Sequence, residues 1–276
     1  ERLTHLVWTA TAISDAFGAH LIGSAPALES AVFECCTNVG PLTMRALSTA
    51  RVQTVSIACS VMDGRHIELL SMCSTLCQLN VNQTAVNDGA LRIIALGCKT
   101  LRVLHFSHCE NVTDVGLEHV TDHCRSLVDL AFAHCSEITA TAVLGVIYLP
   151  LTHLDCEGVA RAFTDYTWPF VAKHLPFLRS IEMEAPLSEN AFMLGIRHCA
   201  RLSRLLLFRM RGVTDRACAA IAASAKGLEY LNIAGCHNVS NAGLVALAAL
   251  KKLTVLTPFY TCLTPGELAR VKAGLP

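Results

Sequence analysis

The amino-acid sequence predicts an α/β solenoid, in which a parallel sheet lines the concave wall of a horseshoe and helices form its convex wall. Two observations support this prediction. One apolar pattern recurs in eleven copies, at start-to-start spacings of 24 to 27 residues. Within a copy, apolar residues first alternate as in a strand and then repeat at helical spacing. Because one such unit cannot bury its own apolar face, we expect the copies to stack and share a core.

The repeated pattern is clearest over residues 101–109, which follow L-x-x-L-x-L-x-x-C. Apolar residues at positions 4 and 6, here Leu104 and Phe106, share one face of a short strand. The Thr113-Asp114 pair that follows is typical of a helix N-terminus. We therefore predict a single solenoid over residues 1–276 with ten to eleven repeats, the last of them a cap. The copies begin at Leu3, Leu28, Val52, Leu76, Leu101, Leu127, Leu151, Leu178, Leu202, Leu228 and Leu253.

Charge and hydropathy narrow the range of partners. The 22 basic and 22 acidic side chains cancel, whereas a nucleic-acid footprint needs a basic excess. The longest stretch without charged residues, 138–154, contains Pro150 and several threonines, whereas a spanning helix needs about 20 mainly apolar residues. We therefore expect neither a nucleic-acid partner nor a membrane span. Because the chain starts with Glu1 rather than Met, we also expect it to be part of a longer protein.

The cysteines follow the repeat. The chain has 14 of them, and eight occupy two fixed places, position 9 or three residues before the next repeat. Free cysteine behaves as a small buried hydrophobe, so we predict core packing rather than a disulfide framework. This use of cysteine favours a reducing, intracellular location, either cytoplasmic or cytoskeletal. The eight are Cys36, Cys109, Cys135, Cys236, Cys73, Cys98, Cys124 and Cys199.

Motifs for catalysis and cofactor binding are missing from the sequence. It contains no phosphate-binding loop, no nucleophile elbow and no zinc-protease helix, so we predict neither an enzyme nor a small-molecule substrate. His108 and His134 share position 8 of adjacent repeats and should stand about 5 Å apart. His105 lies nearby, but no dedicated ligand motif accompanies these residues. We therefore predict no metal and no cofactor.

Three features together carry a family resemblance: cysteine at position 9, the Val/Ile-Thr-Asp continuation and the C-x-x-L junction between repeats. They resemble the cysteine-containing leucine-rich repeats of F-box/leucine-rich-repeat proteins, most clearly over residues 98–144 and 202–244. The resemblance implies a substrate-binding arc of a cullin-type ubiquitin ligase, in which a separate F-box docks the Skp adaptor. Similar repeats also serve as permanent structural subunits, for example in the nexin–dynein regulatory complex of cilia and flagella. Both roles imply protein partners within a multi-subunit complex.

The concave wall carries the candidate binding residues, because side chains at positions 3, 5 and 7 point away from the core. An acidic group should lie beside a basic and aromatic strip, and aromatic residues and Arg are enriched at interface hot spots. We predict that their junction binds a partner segment with basic residues next to an apolar anchor; an ordinary solvated wall is the alternative. The acidic group is Asp129, Asp155, Glu157, Glu182 and Glu184, and the strip is Arg204, Leu206, Phe208, Arg209 and Tyr230.

Two parts of the chain depart from the pattern. The repeat from Leu151 places Phe163, Tyr166, Trp168 and Phe170 where its helix should begin. We interpret this aromatic group as a repaired core, with an exposed docking knob as the alternative. At the C-terminus, residues 263–267 should begin a last helix that caps the core. A preceding module or a partner subunit is expected to cover the opposite edge.

Overall fold

Strands and helices alternate along the chain, as the repeat predicts. The computed structural model of this protein describes residues 3–62 and 64–258. It divides into two compact units, one of residues 1–138 with 148–150 and one of residues 139–147 with 151–276. The single solenoid over the whole chain therefore stays a prediction. The predicted C-terminal cap helix lies outside the described residues.

In the first unit, six parallel strands follow one another in chain order among the described residues. The strands are β1 (His5–Thr9), β2 (Ser30–Glu34), β3 (Thr54–Ser56), β4 (Gln78–Asn80), β5 (Val103–His105) and β6 (Asp129–Ala131). The helices are α1 (Asp15–Gly23), α2 (Pro41–Thr49), α3 (Gly64–Ile67), α4 (Asp88–Gly97) and α5 (Asp114–His123), with a 3-10 helix over Glu68–Met72.

In the second unit, five parallel strands likewise follow one another in chain order among the described residues. The strands are β7 (His153–Cys156), β8 (Ser180–Met183), β9 (Arg204–Leu207), β10 (Tyr230–Asn232) and β11 (Val255–Thr257). The helices are α6 (Ala140–Val143), α7 (Thr167–His174), α8 (Glu189–Ile196), α9 (Asp215–Ser224) and α10 (Asn241–Leu247). A further 3-10 helix spans Leu144–Tyr148.

The register of the sheet matches equivalent positions of successive repeats. Every strand begins two residues after a predicted repeat start, and Leu104 of β5 pairs with Leu79 of β4 and Leu130 of β6. Leu104 and Phe106, at positions 4 and 6, are fully buried. Within each unit, strands contact strands and helices contact helices, which gives one layer of each. The α/β class with a parallel sheet and a helical layer is therefore confirmed.

The helices begin where the sequence predicts a cap. Thr113 accepts a hydrogen bond from the Val115 amide at 3.3 Å, and Thr214 accepts one from the Ala217 amide at 3.3 Å. Each cap residue has an extended backbone, which turns its hydroxyl back onto the first helical turn. The Thr-Asp pair thus ends the loop after the strand and starts the helix.

The eight cysteines in the two repeat-specified places are all buried. Two of these thiols show how the group is accommodated: Cys109 donates to Val81 O and Cys98 to Leu70 O, both at 3.3 Å. Burial raises the pKa of the Cys98 and Cys199 thiols to about 12, which leaves them protonated and unreactive at neutral pH. The prediction that these cysteines pack the core is correct.

The aromatic group after β7 divides between the core and the surface. Phe163 and Trp168 are fully buried, and the Trp168 indole donates to Phe192 O at 3.2 Å. These two residues form the predicted repaired core. Tyr166, in contrast, is 73% exposed and stacks on Phe170 with ring centroids 6.4 Å apart. The aromatic group as a whole is therefore not a core element.

Candidate functional site: a charged face on the second unit

Strands β7, β8 and β9, together with the two residues that follow each of them, contain most of the predicted binding residues. Because side chains alternate along a strand, Asp155, Glu182 and Leu206 point away from the core while their neighbours point into it. These three residues are matched in register, since Asp155 pairs with Glu182 and Glu182 pairs with Leu206. Adjacent strands are about 4.8 Å apart, so two carboxylates stand side by side. We call Asp155, Glu157, Glu182, Glu184, Arg204, Arg209 and Tyr230 the charged face.

The Glu182 carboxylate of this face has a shifted pKa. Burial and the neighbouring Asp155 charge raise its pKa, and the Arg204 guanidinium only partly offsets them. The ionised form is therefore less favourable here than in water. Cys156 lies beneath, and burial together with the charges of Asp155, Glu182 and Glu157 raises the pKa of its thiol well above the usual value. The face thus concentrates negative potential over β7 and β8.

The basic and aromatic strip contacts this acidic group directly. Arg204 Nε lies 3.5 Å from Glu182 Oε1, and its guanidinium sits 4.3 Å from the centre of the Tyr230 ring. Arg209 Nη1 is 3.9 Å from Glu184 Oε1, at the limit of an ion pair. The predicted junction therefore exists as two ion pairs and a cation–π contact. Sequence analysis placed the two groups side by side but did not predict these pairs. Arg204 at position 3 pairs with Glu182 at position 5 of the preceding repeat, and Arg209 at position 8 pairs with Glu184 at position 7 of that repeat.

Asp155 also has a structural role that sequence analysis missed. Its Oδ1 accepts a hydrogen bond from the Glu157 amide at 3.2 Å. Asn232, at the same position of its repeat, accepts one from the Ala234 amide at 2.9 Å, and Asn80 accepts one from the Asn82 amide at 3.1 Å. An Asp or Asn at position 5 thus supports the end of its strand. The recurrence of Asp and Asn at position 5 is the sequence feature from which this role could have been predicted.

The apolar residues of the predicted strip differ in their exposure. Leu206 is only 5% exposed, so its side chain offers little accessible surface to a partner. The reason is its central place, with Glu182 and Asn232 in register on either side of it. Phe208 and Tyr230 are half-buried and provide the accessible apolar surface instead.

Asp129 belongs to the first unit, where its Oδ1 lies 3.0 Å from Nε2 of His105. In the same unit, His108 and His134 stack with ring centroids 4.4 Å apart, close to the spacing that their shared register predicts. Burial and the His134 charge lower the pKa of His108, which favours the neutral form of that imidazole. Within the described residues, no group of three or more His, Cys, Asp or Glu side chains is arranged to hold a metal ion.

No helix in the described part of the chain is both long enough and apolar enough to cross a membrane. A sequence profile described as Leucine Rich repeat matches residues 97–119 and 228–248. No curated protein matches the sequence.

Two solved structures are similar in fold. Rad7, from the crystal structure of the Rad7 and Elc1 complex in yeast, superposes with a TM-score of 0.62 at 14% identity, over 95% of this chain and 80% of that one. An internalin (inlF) from Listeria monocytogenes superposes with a TM-score of 0.55 at 13% identity, over 99% of this chain and 86% of that one. At such identities the likeness shows the fold alone.

This chain contains leucine-rich repeats, which the sequence profile matches over residues 97–119 and 228–248. Its fold is the α/β solenoid typical of non-catalytic scaffolds that bind other proteins, and its cysteine-containing repeats resemble those of F-box/leucine-rich-repeat proteins.

Proposed function

We propose that this protein is the partner-binding arc of an F-box-like ubiquitin-ligase adaptor and that it captures its protein partner on the charged face. The observation that carries the proposal is the pairing of Asp155 with Glu182 in register. Like charges directly opposite each other in a sheet destabilise it. The contact between the two like charges costs the fold stability, whereas a binding surface gains electrostatic complementarity to a cationic partner.

The chemistry of the face specifies the partner segment. Burial and, after it, repulsion from Asp155 raise the pKa of Glu182, and a Lys or Arg side chain placed between the two carboxylates would relieve the repulsion. The half-buried ring of Tyr230, which Arg204 already covers on one side, offers an aromatic contact next to this position. We therefore expect a segment in which a basic residue lies next to an apolar one. The likeness to Rad7, a protein solved in complex with Elc1, supports a role within a multi-subunit complex.

Affinity purification of the full-length protein from its native cells, followed by mass spectrometry, tests the proposal. The wild type is compared with Glu182→Gln/Glu184→Gln and with Glu118→Gln, an exposed position on helix α5. We expect Skp and cullin subunits to remain bound to all three proteins, because an F-box outside the repeats would hold them. A further protein should be lost, at least tenfold, only from the double variant. Equal recovery of every partner by the wild type and both variants would exclude the charged face as the binding site.

A permanent structural subunit, as in the nexin–dynein regulatory complex of cilia and flagella, is the second candidate. Exposed apolar side chains in the first two repeats favour it: Val7 is 62% exposed, and Phe17 and Leu42 are each about half exposed. Charged residues make up only 16% of the chain, which suits a surface that stays covered. Recovery of axonemal proteins without Skp or cullin in the same purification would establish this role instead.

A further inference from the structure

Two cysteines differ from the rest. Cys35 and Cys59 are exposed, whereas the other cysteines of the described residues are buried or, for Cys77, half-buried. Both occupy position 8, in the second and third repeats; Cys35 directly follows β2, and Cys59 lies three residues after the end of β3. The core packing that explains the other cysteines therefore does not explain these two.

Position 8 brings side chains of neighbouring repeats together. Cys35 and Cys59 both have a left-handed backbone, with φ of 55° and 57°, and His108 and His134 have the same conformation at 58° and 57°. Because equal backbone conformations project side chains in the same direction, the two histidines touch, with ring centroids 4.4 Å apart. Strands β2 and β3 are paired in register, which brings the two thiols side by side in the same way.

The electrostatic surroundings confirm that the thiols are close. Partial burial, the Cys35 thiol and the Glu34 carboxylate raise the pKa of the Cys59 thiol above its usual value. Cys59 also borders an open cavity of about 510 Å³, lined in addition by Ser60, Val61, Met62, Gln83, Thr84 and Ala85. A peptide-sized disulfide has room there to approach the sulfur.

We propose that Cys35 and Cys59 form a reversible disulfide by exchange with a low-molecular-weight disulfide such as oxidised glutathione. One protein thiol, as its thiolate, attacks the glutathione disulfide, forms a mixed disulfide and releases one glutathione thiolate. The second protein thiolate attacks the protein sulfur of that mixed disulfide and releases the second glutathione. The protein loses two protons and two electrons, and glutathione disulfide gains them as two thiols.

Geometry explains why the bond would be reversible. Adjacent strands place the two Cα atoms about 4.8 Å apart, inside the 4.4–6.8 Å range of disulfides. Side chains that project in parallel keep their Cβ atoms near that same separation, slightly beyond the usual mean of about 3.8 Å. Closure therefore needs a small local movement, and strained, exposed disulfides are the ones that thiols reduce readily.

The test is a redox titration of the full-length protein in glutathione buffers, followed by alkylation, trypsin digestion and mass spectrometry. Oxidation should remove two alkylatable thiols and link tryptic peptides 3–45 and 52–65, which contain Cys35 and Cys59. Excess reduced glutathione should restore both thiols. Because a raised thiol pKa limits the thiolate, the rate of oxidation should increase about tenfold between pH 7 and pH 8.

Three variants make the titration decisive. In Cys35→Ser, we expect a stable glutathione adduct on Cys59 and no linked peptides, and in Cys59→Ser the adduct should stay on Cys35. Cys77→Ser, at the half-buried cysteine, should behave like the wild type. Linked peptides that persist in Cys35→Ser would assign the bond to Cys36. Two separate glutathione adducts on the wild type, or two unmodified thiols in fully oxidised buffer, would overturn the proposal.

Discussion

Ser240 donates two hydrogen bonds to the carboxylate of Asp215 in the preceding repeat, from its amide at 2.7 Å and from its hydroxyl at 2.6 Å. Gly243, in the first turn of helix α10, donates a third at 2.9 Å. Asp215 itself lies in the first turn of helix α9, so one carboxylate joins the N-termini of two successive helices. Asp15 holds Thr43 in the same way, and Asp88 holds Thr113. These carboxylates act as cross-repeat clasps in the helical layer.

Replacing Asp215 with Asn should destabilise the protein. The amide keeps the shape of the side chain but weakens three charge-assisted hydrogen bonds, so we expect a loss of about 1–3 kcal/mol in unfolding free energy. Urea denaturation followed by circular dichroism measures it. Asp122→Asn is the matched control, because this carboxylate is exposed and pairs with Arg125 three residues later in the same stretch of chain. An equally small change in unfolding free energy for both variants would contradict a stabilising role of Asp215 between the two helices.

The clasps also predict acid sensitivity. Hydrogen bonds from Ser188 lower the pKa of Asp165. Burial alone would raise the pKa of Asp15 and Asp215, but the hydrogen bonds that these carboxylates accept outweigh burial, so both pKa values are lowered. A carboxyl group with a lowered folded-state pKa contributes stability above its unfolded pKa, near 4, and loses it as pH falls through the folded value. Unfolding free energy should therefore be level from pH 6 to about 4.5 and fall below that. Asp15→Asn/Asp215→Asn should show a shallower fall in urea midpoints measured from pH 6 to pH 3. An equal pH dependence of the urea midpoint in the wild type and the double variant would show that Asp15 and Asp215 are not the source of the acid sensitivity.

The fold could be predicted from the sequence because the repeat specifies it many times. Positions 4 and 6 are apolar in every copy, and a shift by one residue would turn these side chains outwards. The Thr-Asp pair was correctly predicted as the start of the helix. The second role of the pair, in which Asp88 or Asp215 binds the helix of the next repeat, was not predicted. A local sequence pattern carries no information on which helix N-terminus lies next to the aspartate in the fold.

The charged face was predicted less completely. Register alone indicated that Asp155 and Glu182 are neighbours, since both hold position 5. The burial of Leu206 and the pairing of Arg204 with Glu182 depend on side-chain packing on the face, which spacing cannot give. Whether the face binds a partner stays a prediction.

Glu182→Gln should leave the fold as stable as the wild type, or slightly more so, at pH 7. The folded-state pKa of Glu182 is raised, so its ionisation costs stability as pH rises through that value, and a neutral amide avoids the cost. We expect a change between zero and about +1 kcal/mol, because the lost ion pair with Arg204 is partly exposed and weak. Urea denaturation at pH 7 and pH 4 measures it, and the difference between the proteins should shrink at pH 4. A loss above about 1 kcal/mol would make Glu182 a structural residue rather than a binding one.

Gly195→Ala and Gly23→Ala should change stability in opposite directions, although both glycines lie in helices and Ala is the better helix former by about 1 kcal/mol. A Cβ on Gly195 would overlap the indole of Trp168, whereas a Cβ on Gly23 meets nothing within 4 Å. The indole cannot move aside, because it is fully buried and bonded to Phe192 O. Overpacking of this kind costs about 1–3 kcal/mol, which outweighs the helical gain. Thermal denaturation should therefore show a lower midpoint for Gly195→Ala and an equal or higher one for Gly23→Ala. A Gly195→Ala protein as stable as the wild type would mean that Trp168 does not pack against helix α8, and the aromatic repair of this repeat would have to lie elsewhere.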